Sequence, residues 1–160
     1  MAFYGRTPIP LIAAAILLAT LLVYKLYAPK IDPVDMTLYP DDVQFVAEGK
    51  AVYDARCASC HGANLEGQGN WKQRNAEGLL PAPPHDESGH TWHHADAALF
   101  KVTKHGPQFV AGPDYKSDMP AFEGVLTDRE ILAALSYIKS TWPAEVRATH
   151  DEINKRAGQQ

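Results

Sequence analysis

Cys57 and Cys60, the chain's two cysteines, stand three positions apart and are followed at once by His61. Thiols at that spacing with an imidazole next to them read as a covalent c-type haem attachment site. The sulfurs would add to the two haem vinyl groups as thioethers, and His61, carried beneath the iron by the same turn, would supply an axial nitrogen. Other chemistries also use Cys-x-x-Cys. A zinc site needs a second ligand pair, and a thioredoxin-like redox pair expects a βαβ setting; neither accompaniment is clear in this sequence. A disulfide between Cys57 and Cys60 would close so short a loop that it would remove little entropy from the unfolded chain. Haem attachment accounts for all three residues at once.

A six-coordinate iron needs a second axial ligand, and the search falls on methionine and histidine downstream of the turn. Of the three methionines, Met1 begins the chain, Met36 precedes the turn in a proline-broken segment, and Met119 follows it in Tyr115-Lys116-Ser117-Asp118-Met119-Pro120. Pro120 biases Met119 toward an extended backbone, which suits a loop laid across the far face of a haem. Met119 is therefore the expected distal ligand, with the histidines as competitors.

The elements that must hold these residues are helical. Asp41 or Asp42, just after Pro40, can cap a first helix whose apolar face carries Val43, Val46, Val52 and Tyr53, with Gly49 permitting close approach. A second helix begins near Asp96, presents Leu99, Phe100, Val102 and Thr103 inward, and stops at Gly106. Thr127-Asp128-Arg129-Glu130 is a capping box that opens a third, in which Ile131, Leu132, Leu135, Ile138 and Trp142 recur at helical spacing. Convincing alternating strand patterns are absent, so the expected fold class is all-α. Loops at 62–94 and 106–126 are long for a domain of this size, but an apolar macrocycle would give them something to pack on. The polypeptide without haem is accordingly expected to be largely unfolded.

The haem turn, the later Met-Pro in a Gly/Pro-rich loop and the flanking helices resemble the class I c-type cytochromes, small α-helical electron carriers with His and Met axial ligands. The resemblance covers residues 41–142. It implies one covalent haem c, with Cys57 and Cys60 as thioether cysteines, His61 as proximal and Met119 as distal ligand. Gly49 and Tyr53 match a small residue and an aromatic that touch the last helix in such proteins. A proline carbonyl normally receives the proximal histidine's N–H, and Pro81, Pro83 and Pro84 all compete for that role. Trp92 and Tyr115 are further candidates to support the haem pocket. The resemblance implies an electron carrier and not an enzyme. A fixed haem subunit of a larger redox complex, or a haem enzyme or gas sensor with a labile distal ligand, are the alternatives.

From Ile9 to Val23 the chain is nearly continuously apolar, and with Lys25 snorkelling the stretch to Ala28 approaches the roughly twenty residues that cross a bilayer. No Ala-x-Ala site follows, and Pro29 disfavours cleavage after Ala28, so residues 1–28 read as an uncleaved membrane anchor forming a single N-terminal transmembrane helix. Residues 29–40 read as a proline-punctuated, extended linker, 41–142 as the haem domain and 143–160 as a polar C-terminal extension, a solvated helix or a contact arm, the former being the commoner for a polar tail. Positive-inside counting is balanced between Arg6 and Lys25 with Lys30. Covalent haem attachment resembles that of proteins matured outside the bacterial cytoplasm, which places the haem domain on the periplasmic side of the inner membrane. This architecture resembles the membrane-attached cytochromes c of proteobacteria, which carry electrons from quinol-oxidising complexes to terminal oxidases or photosynthetic reaction centres. The expected partners are thus membrane-embedded redox complexes and the lipid bilayer.

The net charge is −4, and beyond Lys30 twelve Lys and Arg face nineteen Asp and Glu. That balance disfavours nucleic acid and a broadly basic docking face; Lys72, Arg74, Lys101, Lys104 and Lys116 read as solvated surface groups. His85, His90, His93 and His94 could bind copper or zinc or replace Met119. Propionate bonding by histidines and Trp92, and a helix start at His94, are simpler explanations, and no second metal is expected there.

Overall fold

The computed structural model describes residues 35–158. The apolar run at the N-terminus and most of the connector lie outside them; among the described residues no helix is long and apolar enough to cross a membrane. Helices α1 (Val43–Arg56), α2 (Ala58–His61), α3 (Asp96–His105), α4 (Pro107–Ala111), α5 (Asp128–Ser140) and α6 (Ala144–Ala157) follow one another, with a 3-10 turn at Thr91–His93 before α3. No strand occurs among the described residues, beyond one isolated bridge between Glu123 and Leu126. The architecture is that of a small class I cytochrome c fold.

Asp42 caps α1, its side chain accepting the Phe45 N–H at 3.0 Å. The buried face of α1 is Phe45, Gly49 and Tyr53, a repeat of four, with Val52 half-buried beside it. Val43, expected inside, is 84 % exposed, because it lies on the side of the helix opposite Phe45. Gly49 is where α1 crosses α5: a Cβ there would stand 1.9 Å from the Ala133 carbonyl oxygen, so the two backbones meet with no room for a side chain.

The capping box of α5 is formed as the sequence predicts, Thr127 receiving the Glu130 N–H and Glu130 reaching back to the Thr127 N–H at 2.7 Å. Ile131, Leu132, Leu135, Ile138 and Trp142 are all buried. α3 ends at Gly106, whose φ of +84° suits glycine, and Pro107 at once starts α4 within what the sequence reads as loop.

Of the two readings of the C-terminal extension, the structure shows the contact arm and not the commoner solvated helix. Through His150, fully buried, and Asn154, α6 docks on the start of α3. The Asp96 carboxylate accepts from Asn154 Nδ2 at 2.9 Å and from the Leu38 N–H at 3.0 Å, while the Asp96 N–H donates to Asn154 Oδ1 at 2.7 Å. Lys139 on α5, almost buried, reaches Asp151 on α6 at 2.6 Å.

Candidate functional site: the haem turn and its walls

Cys57 closes α1 and opens the single turn of α2, where the N–H groups of Cys60 and His61 both return to the Cys57 carbonyl, at 3.1 and 2.9 Å. One helical turn puts residues three and four apart on one face, so Cys57, Cys60 and His61 point the same way. Gly62, at φ +84°, then ends the turn, and its carbonyl accepts the Tyr53 hydroxyl at 2.9 Å.

Both cysteines are free thiols. Burial, with Cys60 beside it, pushes the Cys57 thiol up to about 11. A thiol-redox pair needs the opposite shift, so the site does not suit a thioredoxin-like function. His61 is buried, and its Nδ1 lies 2.9 Å from the Pro83 carbonyl. A carbonyl only accepts, so Nδ1 carries the proton and Nε2 keeps a free lone pair. Burial also lowers the His61 pKa, opposed by the Pro83 bond, which favours the neutral, ligating form. The donor set therefore fits a haem c: two free thiols that would become its thioethers and a correctly tautomerised imidazole on one turn.

Of the three competing prolines, Pro83 makes the bond. Pro84 is buried between two close approaches: a Cβ on Gly67 would lie 2.4 Å from its nitrogen, and one on Gly89 would lie 2.0 Å from its carbonyl oxygen. Pro81 takes no part in the His61 bond; its neighbour Ala82 is pinned by Gln68, through Gln68 N–H to the Ala82 carbonyl at 2.9 Å and Ala82 N–H to Gln68 Oε1 at 3.0 Å.

Met119 is half-buried against the core, its N–H bonded to Ser117 Oγ at 3.1 Å, in an irregular segment that Gln108 Nε2 also holds at the Ser117 carbonyl, at 3.4 Å. The segment rejoins the helices at Phe122, whose N–H bonds the last carbonyls of α3. Trp92 stacks on His93 at 3.6 Å and donates to the Glu87 carbonyl. Tyr115 lies under the Arg74 guanidinium at 5.7 Å. Neither contact engages the haem turn.

The histidine-rich segment is divided among separate contacts, and among the described residues no three His, Cys, Asp or Glu converge on a metal-sized point. His90 stacks on Trp71. His85 lies flat on His61, ring centres 4.0 Å apart and planes 20° from parallel. Burial, then His61 and His90, holds His85 well below the ordinary imidazole range, so that ring is neutral. Sequence reasoning noticed His85 only as one of a cluster; its place two residues after the ligand-bonding Pro83 was the available signal.

With this geometry, the family comparison falls into place. The family model described as Cytochrome c matches residues 46–142, and the chain belongs to that family: it is a class I c-type cytochrome, which implies covalently bound haem c, and the spacing of Cys57 and Cys60 fits its attachment. Among curated proteins it is similar to cytochrome c-555 of Prosthecochloris aestuarii, 29 % identical over 99 residues, 58 % of this chain and 84 % of that protein. No solved structure matches the chain significantly. The family is one of haem-based electron carriers.

Proposed function

We propose that this protein is a membrane-tethered monohaem cytochrome that shuttles single electrons between membrane-embedded redox complexes. It would take electrons from a quinol-oxidising complex and pass them to a terminal oxidase or reaction centre. The haem supplies a one-electron iron couple; the chain's own residues fix how that couple behaves. His61, through Nε2, and Met119 would hold the iron between them, leaving no position open for a substrate. His/Met ligation favours the high potential expected of a carrier feeding an oxidase.

The observation that carries this reading is the bond from His61 Nδ1 to the Pro83 carbonyl, which leaves the Nε2 lone pair free to bind iron. Met119, half-buried in a lightly bonded irregular loop, supports the distal assignment. The apolar stretch from Ile9 to Ala28 supports a tether in the bacterial inner membrane with the haem domain on the periplasmic side. A linker at 29–40 would keep the haem near its partners and raise their effective concentration.

The test uses the full-length holoprotein in mild detergent. Low-spin spectra in both oxidation states, no carbon monoxide binding, and reduction by a quinol-oxidising complex that is faster in shared membranes than in solution are expected. A high-spin ferric form or ready carbon monoxide binding overturns the carrier reading. Equal rates with and without the N-terminal segment overturn the tether.

A further inference from the structure

A hydrogen bond fixes one atom of a ring; fixing its plane takes a second contact. His61 has the first in its bond to Pro83, and the second is supplied by His85, face to face at 4.0 Å. We propose that His85 is a positioning residue for the proximal haem ligand, a second imidazole that sets the rotation of His61 about its bond to iron and is itself braced by the C-terminal extension. This rests on His61 being the axial ligand, as proposed above.

His85 is held more tightly than packing alone requires. Its N–H donates to the Leu65 carbonyl at 2.7 Å, and its ring Nδ1 meets the buried Thr91 hydroxyl at 2.8 Å, which stops the ring from turning in its own plane. The edge of the fully buried Tyr53 ring closes one side, 6.2 Å away and 70° from parallel. The His85 carbonyl receives the Trp142 indole N–H at 2.7 Å. A flat ring pinned at its backbone, at one nitrogen and along one edge can transmit its orientation to the ring stacked on it.

The brace continues into the part of the chain beyond the family-matched residues. Trp142 ends that region, and the His150 ring of α6 meets it edge-on, centres 5.0 Å apart at 78°. His150 is itself fixed, fully buried, by Nε2–H donation to the His94 carbonyl at 2.9 Å. The contacts His150 to Trp142, Trp142 to His85, and His85 to His61 form one unbroken line from α6 to the axial imidazole. The docking of a polar helix against this corner thereby acquires a role.

The orientation of an axial imidazole sets its overlap with the iron orbitals, so it is read directly in the ferric electron paramagnetic resonance spectrum and in the redox equilibrium. The experiment compares full-length holoprotein with His85→Leu, His85→Phe, Thr91→Val and Trp142→Phe. His85→Leu should change the g-value spread and shift the reduced-to-oxidised ratio against a fixed redox buffer by threefold or more, with His85→Phe restoring both toward the parent because it keeps a flat face. Thr91→Val and Trp142→Phe should shift both readouts the same way, by less. Unchanged spectra and ratio in His85→Leu, or a His85→Phe protein as displaced as His85→Leu, overturns the proposal. If His85→Leu fails to accumulate, Thr91→Val and Trp142→Phe decide it, unchanged readouts in both counting against. A parent spectrum that is not low-spin would instead remove the axial assignment itself.

Discussion

The walls on the two sides of the haem turn are built to different standards. On the His61 side, the Pro81–His85 segment is clamped by backbone bonds to 65–68, squeezed between Gly67 and Gly89, and backed by Trp142 and α6. On the Met119 side, the Met119 backbone has one bond to Ser117, the Ser117 carbonyl takes one long bond from Gln108 Nε2 at 3.4 Å, and Asp118, Pro120 and Ala121 are exposed. Phe109 and Val110 on the adjoining α4 are also exposed, at 65 % and 57 %. The polypeptide therefore fixes His61 by its own contacts, whereas a bond from Met119 sulfur to iron, as proposed above, would itself have to help hold the distal loop. Segments with few buried contacts open first, so the distal side is where local opening will begin.

The largest expected contrast comes from glycines. Gly89→Ala sets a methyl against the Pro84 carbonyl oxygen and should cost about 3 kcal/mol or more, read as thermal stability of the ferric holoprotein. Gly112→Ala at the entry to the Met119 loop meets open space at φ +98° and should cost only about 1–2 kcal/mol of backbone strain. Equal costs would erase the asymmetry. Next, Met119→Ala should leave the helical content intact while producing a high-spin ferric form that binds carbon monoxide, showing that the proximal wall stands without the distal bond. Helical unfolding in that variant would mean the two walls depend on each other.

Acid should strike the proximal side through α6. Burial, then Lys139, lowers the His150 pKa below the ordinary 6.5, so the folded protein favours the neutral ring. The stabilisation is complete above 6.5 and declines as pH falls from there toward the lowered folded value, because only the unfolded chain binds the proton in that window. His150 Nδ1, buried without a partner, has no acceptor for such a proton. Melting temperature should therefore fall on acidification below about pH 6.5, and less steeply in His150→Gln. An identical slope in the variant would move the acid sensitivity elsewhere. The smallest effect belongs to Ser117→Ala, which removes one hydrogen bond from the distal loop and should cost about 1 kcal/mol with the proximal electron paramagnetic resonance signature unchanged.

What was legible in the sequence was what local rules determine. The Thr127–Glu130 capping box, the Asp42 cap and the Gly106 stop each depend on neighbours within a few residues, and each is found where expected. The face of α1 was read only in part, since Phe45 and not Val43 lies inward once Gly49 fixes the crossing with α5. The choice of Pro83 over Pro81 and Pro84 was out of reach, because it follows from Gly67 and Gly89 closing on Pro84 from both sides of the chain. Docking of α6 was hidden for a different reason: His150 and Asn154 repeat at helical spacing, but apolar periodicity does not register a contact face made of hydrogen bonds. Met119 was suggested by its Pro120 neighbour, yet nothing local tells how lightly its loop is held.

The fastening of Leu38 to Asp96, with the Tyr39 N–H on Ser136 Oγ at 3.0 Å, also has a mechanical meaning. Any pull on the chain N-terminal to Leu38 is delivered first to the Asp96 carboxylate and to the middle of α5. From Asp96 the load divides between α3 and, through Asn154, α6. The helical turn that carries the thioether cysteines begins only at Cys57, on the far side of α1 from that anchorage. Strain arriving along the connector is thus taken up by the scaffold before it reaches the redox centre, as the root of a cantilever carries the load so that its tip need not.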